Sequence, residues 1–113
     1  MIEEWRVEAA IEYLTDSPAD AAEAKGQNIY MEEYKKALVA DIMKERVRDN
    51  PQLPLAAQER DALSDPRYKM HINGMKEAAR NHELHKRKLI SAEVTISAWQ
   101  TEQSMTRAQL KMV

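Results

Sequence analysis

The sequence of 113 residues contains no cysteine, no phenylalanine and only two glycines. Without cysteine the chain has no disulfide, no thiolate metal ligand and no thiol nucleophile. Two glycines are too few for a glycine-rich loop that cradles phosphate, and no Gly-x-Ser-x-Gly motif is present. These absences weigh against catalysis, and we expect a protein that is not an enzyme and has no cofactor and no bound metal.

The side chains that are available favour helices packed on helices. Aromatic residues make up 5% of the chain, whereas apolar residues make up 43% and charged residues 32%. Alanine, leucine, isoleucine and seven methionines must therefore form the core, which suits helix packing better than a sheet. The composition predicts an all-α fold whose helices have large solvated faces.

Start signals and hydrophobic spacing predict four helices in a single domain, 1–113. Ser17 before Pro18, and Ser64 or Asp65 before Pro66, place a capping residue ahead of a proline at the first helical position. Prolines at 51 and 54 separate two long helical patterns. The predicted helices span 3–14, 18–47, 54–63 and 66–110. The expected architecture is an antiparallel helical hairpin or coiled coil with a long C-terminal helix, a short N-terminal helix and a short linking helix.

The long C-terminal helix carries an uncharged stripe at heptad spacing, which we call the seam. Gly74 is the only helix-breaking residue after Pro66. The seam positions are Tyr68, His71, Met75, Ala78, His82, His85, Leu89, Ala92, Ile96, Trp99, Gln103, Thr106 and Leu110.

In the expected hairpin the seam packs against the helix of residues 18–47, with Asp41 near His71 and Leu38 near Met75. The C-terminal helix is longer than this partner, so the apolar side chains of Ile96 and Trp99 need other cover. Either the first helix, doubling back through the segment "TDSP", or a second chain could provide it. Because large exposed apolar surfaces are uncommon on monomers, we expect a homo-oligomer, dimeric or higher.

The stretch "NHELHKRKL", residues 81–89, raises the question of a metal site. A zinc-peptidase helix has two histidines four residues apart, whereas His82 and His85 are three apart. His71 lies about three turns away on the same face, and Asp41 of the second helix could add a ligand. We favour the alternative, in which the three histidines form a polar layer that fixes the register between helices.

Charge is distributed unevenly along the chain. Residues 1–45 hold 5 basic and 11 acidic side chains, whereas residues 66–88 hold 7 basic and 2 acidic ones. A basic helix face could follow phosphates, but it lacks aromatic side chains that could stack on bases. Pairing with the acidic half of the chain, or simple solvation, is favoured. The candidate nucleic-acid-binding residues are Arg67, Lys69, Lys76, Arg80, Arg87 and Lys88.

Two stretches, "LAAQERDALSDPRYK" at 55–69 and "ISAWQTEQSMTRAQ" at 96–109, resemble a family of small helical proteins encoded by tailed bacteriophages and prophages. Gln100 departs from the pattern, because many members have arginine there. The matching positions are Glu59, Arg60, Ala62, Tyr68, Trp99, Thr101, Ser104 and Arg107. The resemblance implies an intracellular phage product whose relatives are often encoded near recombination and replication genes, and it brings no catalytic residue.

The acidic N-terminal sequence "MIEEW" is unlike a signal peptide, and the longest apolar run is Ala37–Ala40, so we expect neither secretion nor a membrane span. With the resemblance, this predicts a protein of the bacterial host cytoplasm. We expect it to bind a phage or host DNA-processing protein, using seam residues such as Trp99. Two alternatives are direct binding of nucleic acid through the basic face and inhibition of a host nuclease or defence complex through the acidic residues 1–45.

Overall fold

The computed structural model describes residues 1–112 and consists of helices joined by short connections. The helices are α1 (Glu4–Asp16), α2 (Pro18–Asp49), α3 (Leu55–Ser64) and α4 (Pro66–Met112). No strand occurs within these residues. The all-α fold with a long C-terminal helix, a short N-terminal helix and a short linking helix is confirmed, and each predicted bound lies within two residues of the observed one.

The two start signals behave differently. Asp65 caps α4, because its Oδ1 accepts a hydrogen bond of 2.8 Å from the main-chain N–H of Arg67. Ser17 instead has a nearly helical backbone, with φ −94° and ψ −8°, and it is the single residue between α1 and α2. Of the alternatives considered above, a chain reversal at "TDSP" does not occur, since this segment continues the helical path.

The chain divides into two compact units, both of which include part of α4. Unit 1 consists of Met1–Glu23 and the chain from Glu83 onward, and unit 2 is Ala24–His82. No helix within residues 1–112 is long and apolar enough to cross a membrane.

Unit 2 packs α2, α3 and the first turns of α4 around a small core. Ile42 of α2 and Ala62 of α3 are completely buried, and Ala24 is nearly so. Gln58 of α3 borders the same shallow hollow as Met43 and Val47 of α2. The linking helix therefore lies along the last turns of α2.

The pairing of α2 with α4 differs from the predicted one at His71. His71 contacts Met31 and Tyr34, not Asp41 as the sequence predicted. The predicted register is wrong by about two helical turns. The start of α4 still contacts the last turns of α2, because Arg67 donates to Glu45, so the difference in register arises between Arg67 and His71.

Gly74 of α4 lies directly against the side chain of Met31 in α2. A Cβ atom at this position would lie 2.6 Å from Cε of Met31. The residue that looked like a potential helix breaker therefore lies inside an unbroken helix, where it gives Met31 room to pack.

Unit 1 packs α1 antiparallel along the second half of α4. The main-chain N–H of Ile2 donates to both carboxylate oxygens of Glu102, at 3.1 and 3.0 Å. At the other end of α1, the hydroxyl of Tyr13 reaches His85. The first helix belongs to the same compact unit as Ile96 and Trp99, and both of these side chains are half-buried.

Candidate protein-binding surfaces

The histidines of the seam meet backbone and aromatic groups of the neighbouring helices. In unit 2, His71 Nε2 lies 2.8 Å from the carbonyl oxygen of Met31. Because a carbonyl can only accept, Nε2 carries the proton. The His71 ring also lies 5.4 Å from the Tyr34 ring, which is stacked on Tyr30. His71 therefore ties α4 to α2.

His85 has the corresponding role in unit 1. The Tyr13 hydroxyl donates to the His85 carbonyl oxygen at 3.1 Å and lies 3.2 Å from His85 Nδ1. His82 is half-buried. Within residues 1–112 no group of three or more His, Asp or Glu side chains is arranged to hold a metal ion.

The seam is the less exposed side of α4 along most of its length. Leu89 is partly exposed, and the positions from Thr106 onward are exposed. Ala92 is buried. The remaining seam positions are half-buried: Tyr68, His71, Met75, Ala78 and His82 in unit 2, and His85, Ile96, Trp99 and Gln103 in unit 1.

The six basic candidates differ in what they contact. Arg80 and Arg87 each pair with an exposed glutamate of their own helix, Glu77 and Glu83 respectively. Arg67 instead bridges to α2. Lys69, Lys76 and Lys88 are exposed. Half of this set is therefore already engaged by carboxylates of the chain itself.

Arg67 forms the densest charged cluster in the described residues. Its Nη1 and Nη2 donate to the two carboxylate oxygens of Glu45 at 2.9 and 2.6 Å. Its Nε and Nη2 donate to Asp65 at 3.1 Å, and Arg46 lies 3.8 Å from the same carboxylate. Hydrogen bonds from Arg67 hold the pKa of Asp65 and of Glu45 below their ordinary values. This cluster fastens the start of α4 to α2.

Trp5 of unit 1 is a large apolar side chain that remains mostly in solvent. It is 60% exposed, although it lies on an α1 that packs against α4. Its indole N–H donates to the Glu3 carboxylate, and the Arg6 guanidinium lies over its ring, 5.4 Å from the centroid. Two neighbours, Glu3 and Arg6, therefore contact the exposed ring and restrict its orientation.

A groove runs beside Trp5 along the junction of α1 and α4. Its floor is made of short side chains from both helices, whereas Trp5 and Tyr13 are its largest walls. Both of its charged residues, Arg6 and Lys88, are basic. The residues lining it are Trp5, Arg6, Ala9, Ala10, Tyr13, Lys88, Ser91, Ala92 and Thr95.

A second uncharged stripe follows α4 on the side away from the seam, and we call it the outer stripe. Sequence reasoning missed it, although the same heptad count finds it once the seam positions are set aside. Ile90 and Val94 are 56% and 60% exposed, and Ser97, Thr101, Ser104 and Ala108 border an open hollow together with Met105. The outer stripe is Ile90, Val94, Ser97, Thr101, Ser104 and Ala108.

Comparisons of this chain with protein-family models, with curated proteins and with solved structures found no match. The functional argument therefore depends on the surfaces described above.

Proposed function

We propose that this chain is a non-catalytic protein that acts by binding another protein through the α1/α4 groove of unit 1. The observation that carries the proposal is the exposed, oriented ring of Trp5 at the edge of that groove. Tryptophan is among the residues most enriched at the energetic centres of protein interfaces. A ring held in place before binding also loses less conformational entropy on association.

The groove suits an amphipathic helix of the partner. Its floor of Ala9, Ala10 and Ser91 lets a backbone approach closely, and Trp5 offers a large apolar contact. Because Arg6 and Lys88 supply positive charge at the groove, acidic side chains on the partner helix would be attracted to it. The expected ligand is therefore a helix with apolar anchors flanked by Asp or Glu.

The family resemblance supports a class of partner. Relatives in the phage family are often encoded near recombination and replication genes, so we propose a DNA-processing protein of the phage or its bacterial host, met in the host cytoplasm. Inhibition of a host nuclease would be one consequence of such binding. Direct binding of nucleic acid is the alternative, but Arg67, Arg80 and Arg87 already pair with carboxylates of the chain.

The test compares two aromatic substitutions in a tagged chain used for capture from host cells. Trp5→Ala removes the proposed anchor, and Tyr30→Ala removes a ring of similar exposure, 57%, from unit 2. The captured protein is identified, purified and titrated against each variant. We expect Trp5→Ala to weaken binding by about tenfold or more, and Tyr30→Ala to leave it nearly unchanged. Equal effects of the two substitutions would reject the groove.

The same titration separates protein binding from phosphate binding. A protein with 6–10 phosphate contacts loses about 10³- to 10⁵-fold in affinity between 50 and 200 mM salt. Binding of a protein through apolar contacts in the groove should lose far less affinity over the same range of salt. Direct binding of nucleic acid is the correct alternative if the captured partner is nucleic acid and its affinity falls steeply with salt. In that case the double substitution Lys69→Gln/Lys76→Gln should also weaken binding strongly.

A further inference from the structure

We propose that two copies of this chain pair antiparallel through the outer stripe of α4, around a two-fold axis at the level of Trp99. The inference goes beyond the groove proposed above, because it concerns another face of unit 1 and a different occupant, a second copy of the chain.

The outer stripe has the spacing of a coiled-coil interface. Its six positions alternate steps of four and three residues from Ile90 to Ala108, a length of about 27 Å on a helix. None is charged, and all are exposed. Between 89 and 101 the only charged residue is Glu93, whereas the preceding thirteen residues include seven charged ones. Surface this poor in charge is unusual on an exposed helix face.

Side-chain size along the stripe selects the antiparallel direction. The large side chains, Ile90 and Val94, lie at one end, and the small ones lie at the other. Parallel pairing would place the large side chains of the two copies against each other and leave gaps between the small ones. Antiparallel pairing sets each large residue opposite a small one, so that every layer is filled. The layers are Ile90 with Ala108, Val94 with Ser104, and Ser97 with Thr101.

Charges at the ends and on the flank select the same register. Arg87 and Lys111 continue the stripe at its two ends; in the pairing centred on Trp99 they lie opposite each other beyond the uncharged layers, at exposed ends where water and salt screen the two like charges. A shift by one heptad would bring Arg87 or Lys111 against an uncharged layer. On one flank, Glu93 of each copy comes opposite Arg107 of the other, which gives an attractive pair on each side of the axis.

The chain exposes more surface than a compact monomer of its mass. The chain exposes 8742 Å², whereas a compact monomer of 13.0 kDa would expose about 6,300 Å². The excess of about 2,400 Å² is spread over the whole chain, and a standard interface buries roughly 800 Å² of each partner, so pairing through one face would use only part of it.

The first test measures the mass of the purified full chain in solution by light scattering and sedimentation. We expect a dimer for the native chain and at least a tenfold weaker dimer for Val94→Glu, which puts a carboxylate into an uncharged layer. Val94 is exposed, so this change leaves the monomer folded, which circular dichroism verifies. Ile11→Glu places the same charge on an exposed α1 position and should remain dimeric. A monomeric native chain, or a dimer that tolerates Val94→Glu, overturns the proposal.

The second test determines whether the two chains pair parallel or antiparallel by disulfide crosslinking. Because the chain has no native cysteine, only the introduced cysteines can form a crosslink. Ile90→Cys and Ala108→Cys are oxidised separately and as a mixture of the two chains. Antiparallel pairing crosslinks the mixture and neither variant alone. Crosslinking of each single variant with itself would show parallel pairing and overturn the proposal.

The third test exchanges the flanking charges. Glu93→Arg and Arg107→Glu should each weaken the dimer, and the chain with both substitutions should recover it because the pair is restored with reversed signs. If the double variant is no stronger than the single ones, the flank does not pair as proposed. All three tests use purified protein, so their outcome is independent of whether Trp5 captures a partner from cells.

Discussion

The two compact units are both built from helices packed along α4, yet they treat their apolar side chains differently. Unit 2 buries Ile42 and Ala62 completely and adds the Arg67 cluster and the His71 contact with Met31. Unit 1 buries side chains no larger than Val7, and its larger apolar residues stay half-buried or exposed, with Trp5 and Val94 each 60% exposed.

This difference indicates which unit is stabilised by its own contacts and which has surfaces available for association. Unit 2 satisfies its own contacts through a completely buried isoleucine, a charged cluster and a histidine bonded to a carbonyl group. Unit 1 uses one side of α4 to hold α1 and leaves two other faces, the groove and the outer stripe, uncovered. Since apolar area contributes free energy only when it leaves water, unit 1 has the most to gain from association.

The largest expected effect is a loss of stability in unit 2, the better-packed unit. Ile42→Ala removes the completely buried isoleucine of unit 2, and we expect it to lower the free energy of unfolding by about 3 kcal/mol, because it removes buried methyl groups and leaves a cavity. Ile11→Ala in unit 1, where half of the side chain is already exposed, should change it by less than about 0.5 kcal/mol. Urea unfolding followed by circular dichroism measures both. Similar losses in the two variants would show that the units do not differ as described.

The second prediction concerns pH and the Arg67 cluster of unit 2. Arg67→Gln should destabilise the chain at pH 7, because it removes the guanidinium hydrogen bonds that lower the pKa of Glu45 and contribute most to lowering that of Asp65, while the main-chain hydrogen bond to Asp65 remains. A carboxylate whose pKa is lowered by folding stabilises the fold above its ordinary pKa and loses that contribution as the pH falls through the lowered value. The difference between native and variant chains should therefore be complete at pH 7 and shrink below about pH 4.

The matched control for this prediction is Arg87→Gln in unit 1. Arg87 pairs with an exposed glutamate one helical turn away, and such surface pairs contribute little to stability. Its effect should be close to zero at both pH values. Urea midpoints at pH 7 and pH 3 for the three chains decide the matter, and a pH-independent effect of Arg67→Gln would contradict the role given to the cluster.

Local chemistry made the helices predictable from sequence. Proline at the first helical position and the carboxylate of Asp65 act within a few residues, so the start of α4 could be placed without any tertiary information. The same holds for the unbroken run after Pro66, where the heptad spacing continues past Gly74.

The register between helices was not predictable in this way. It depends on tertiary contacts, such as that of His71 with Met31, and not on any signal within α2 or α4 alone. The path of the chain at Ser17 was not predictable for a related reason, since a capping pattern does not show whether the chain turns. The outer stripe was overlooked because its small polar residues, such as Ser97 and Thr101, look like ordinary solvated positions until their exposure is known.

The smallest expected effect concerns the contact between α2 and α4 at Gly74 in unit 2. Both glycines are helical, and replacing glycine with alanine inside a helix stabilises it by up to about 1 kcal/mol. At Gly26 nothing lies within 4 Å of a new Cβ, so Gly26→Ala should provide most of this gain. At Gly74 the new methyl group would displace Cε of Met31, so Gly74→Ala should provide clearly less. Urea unfolding of the two variants tests this, and combining Gly74→Ala with Met31→Ala, compared with Met31→Ala alone, should restore the full helical gain. An equal gain from the two single substitutions would mean that Gly74 is not needed for the contact.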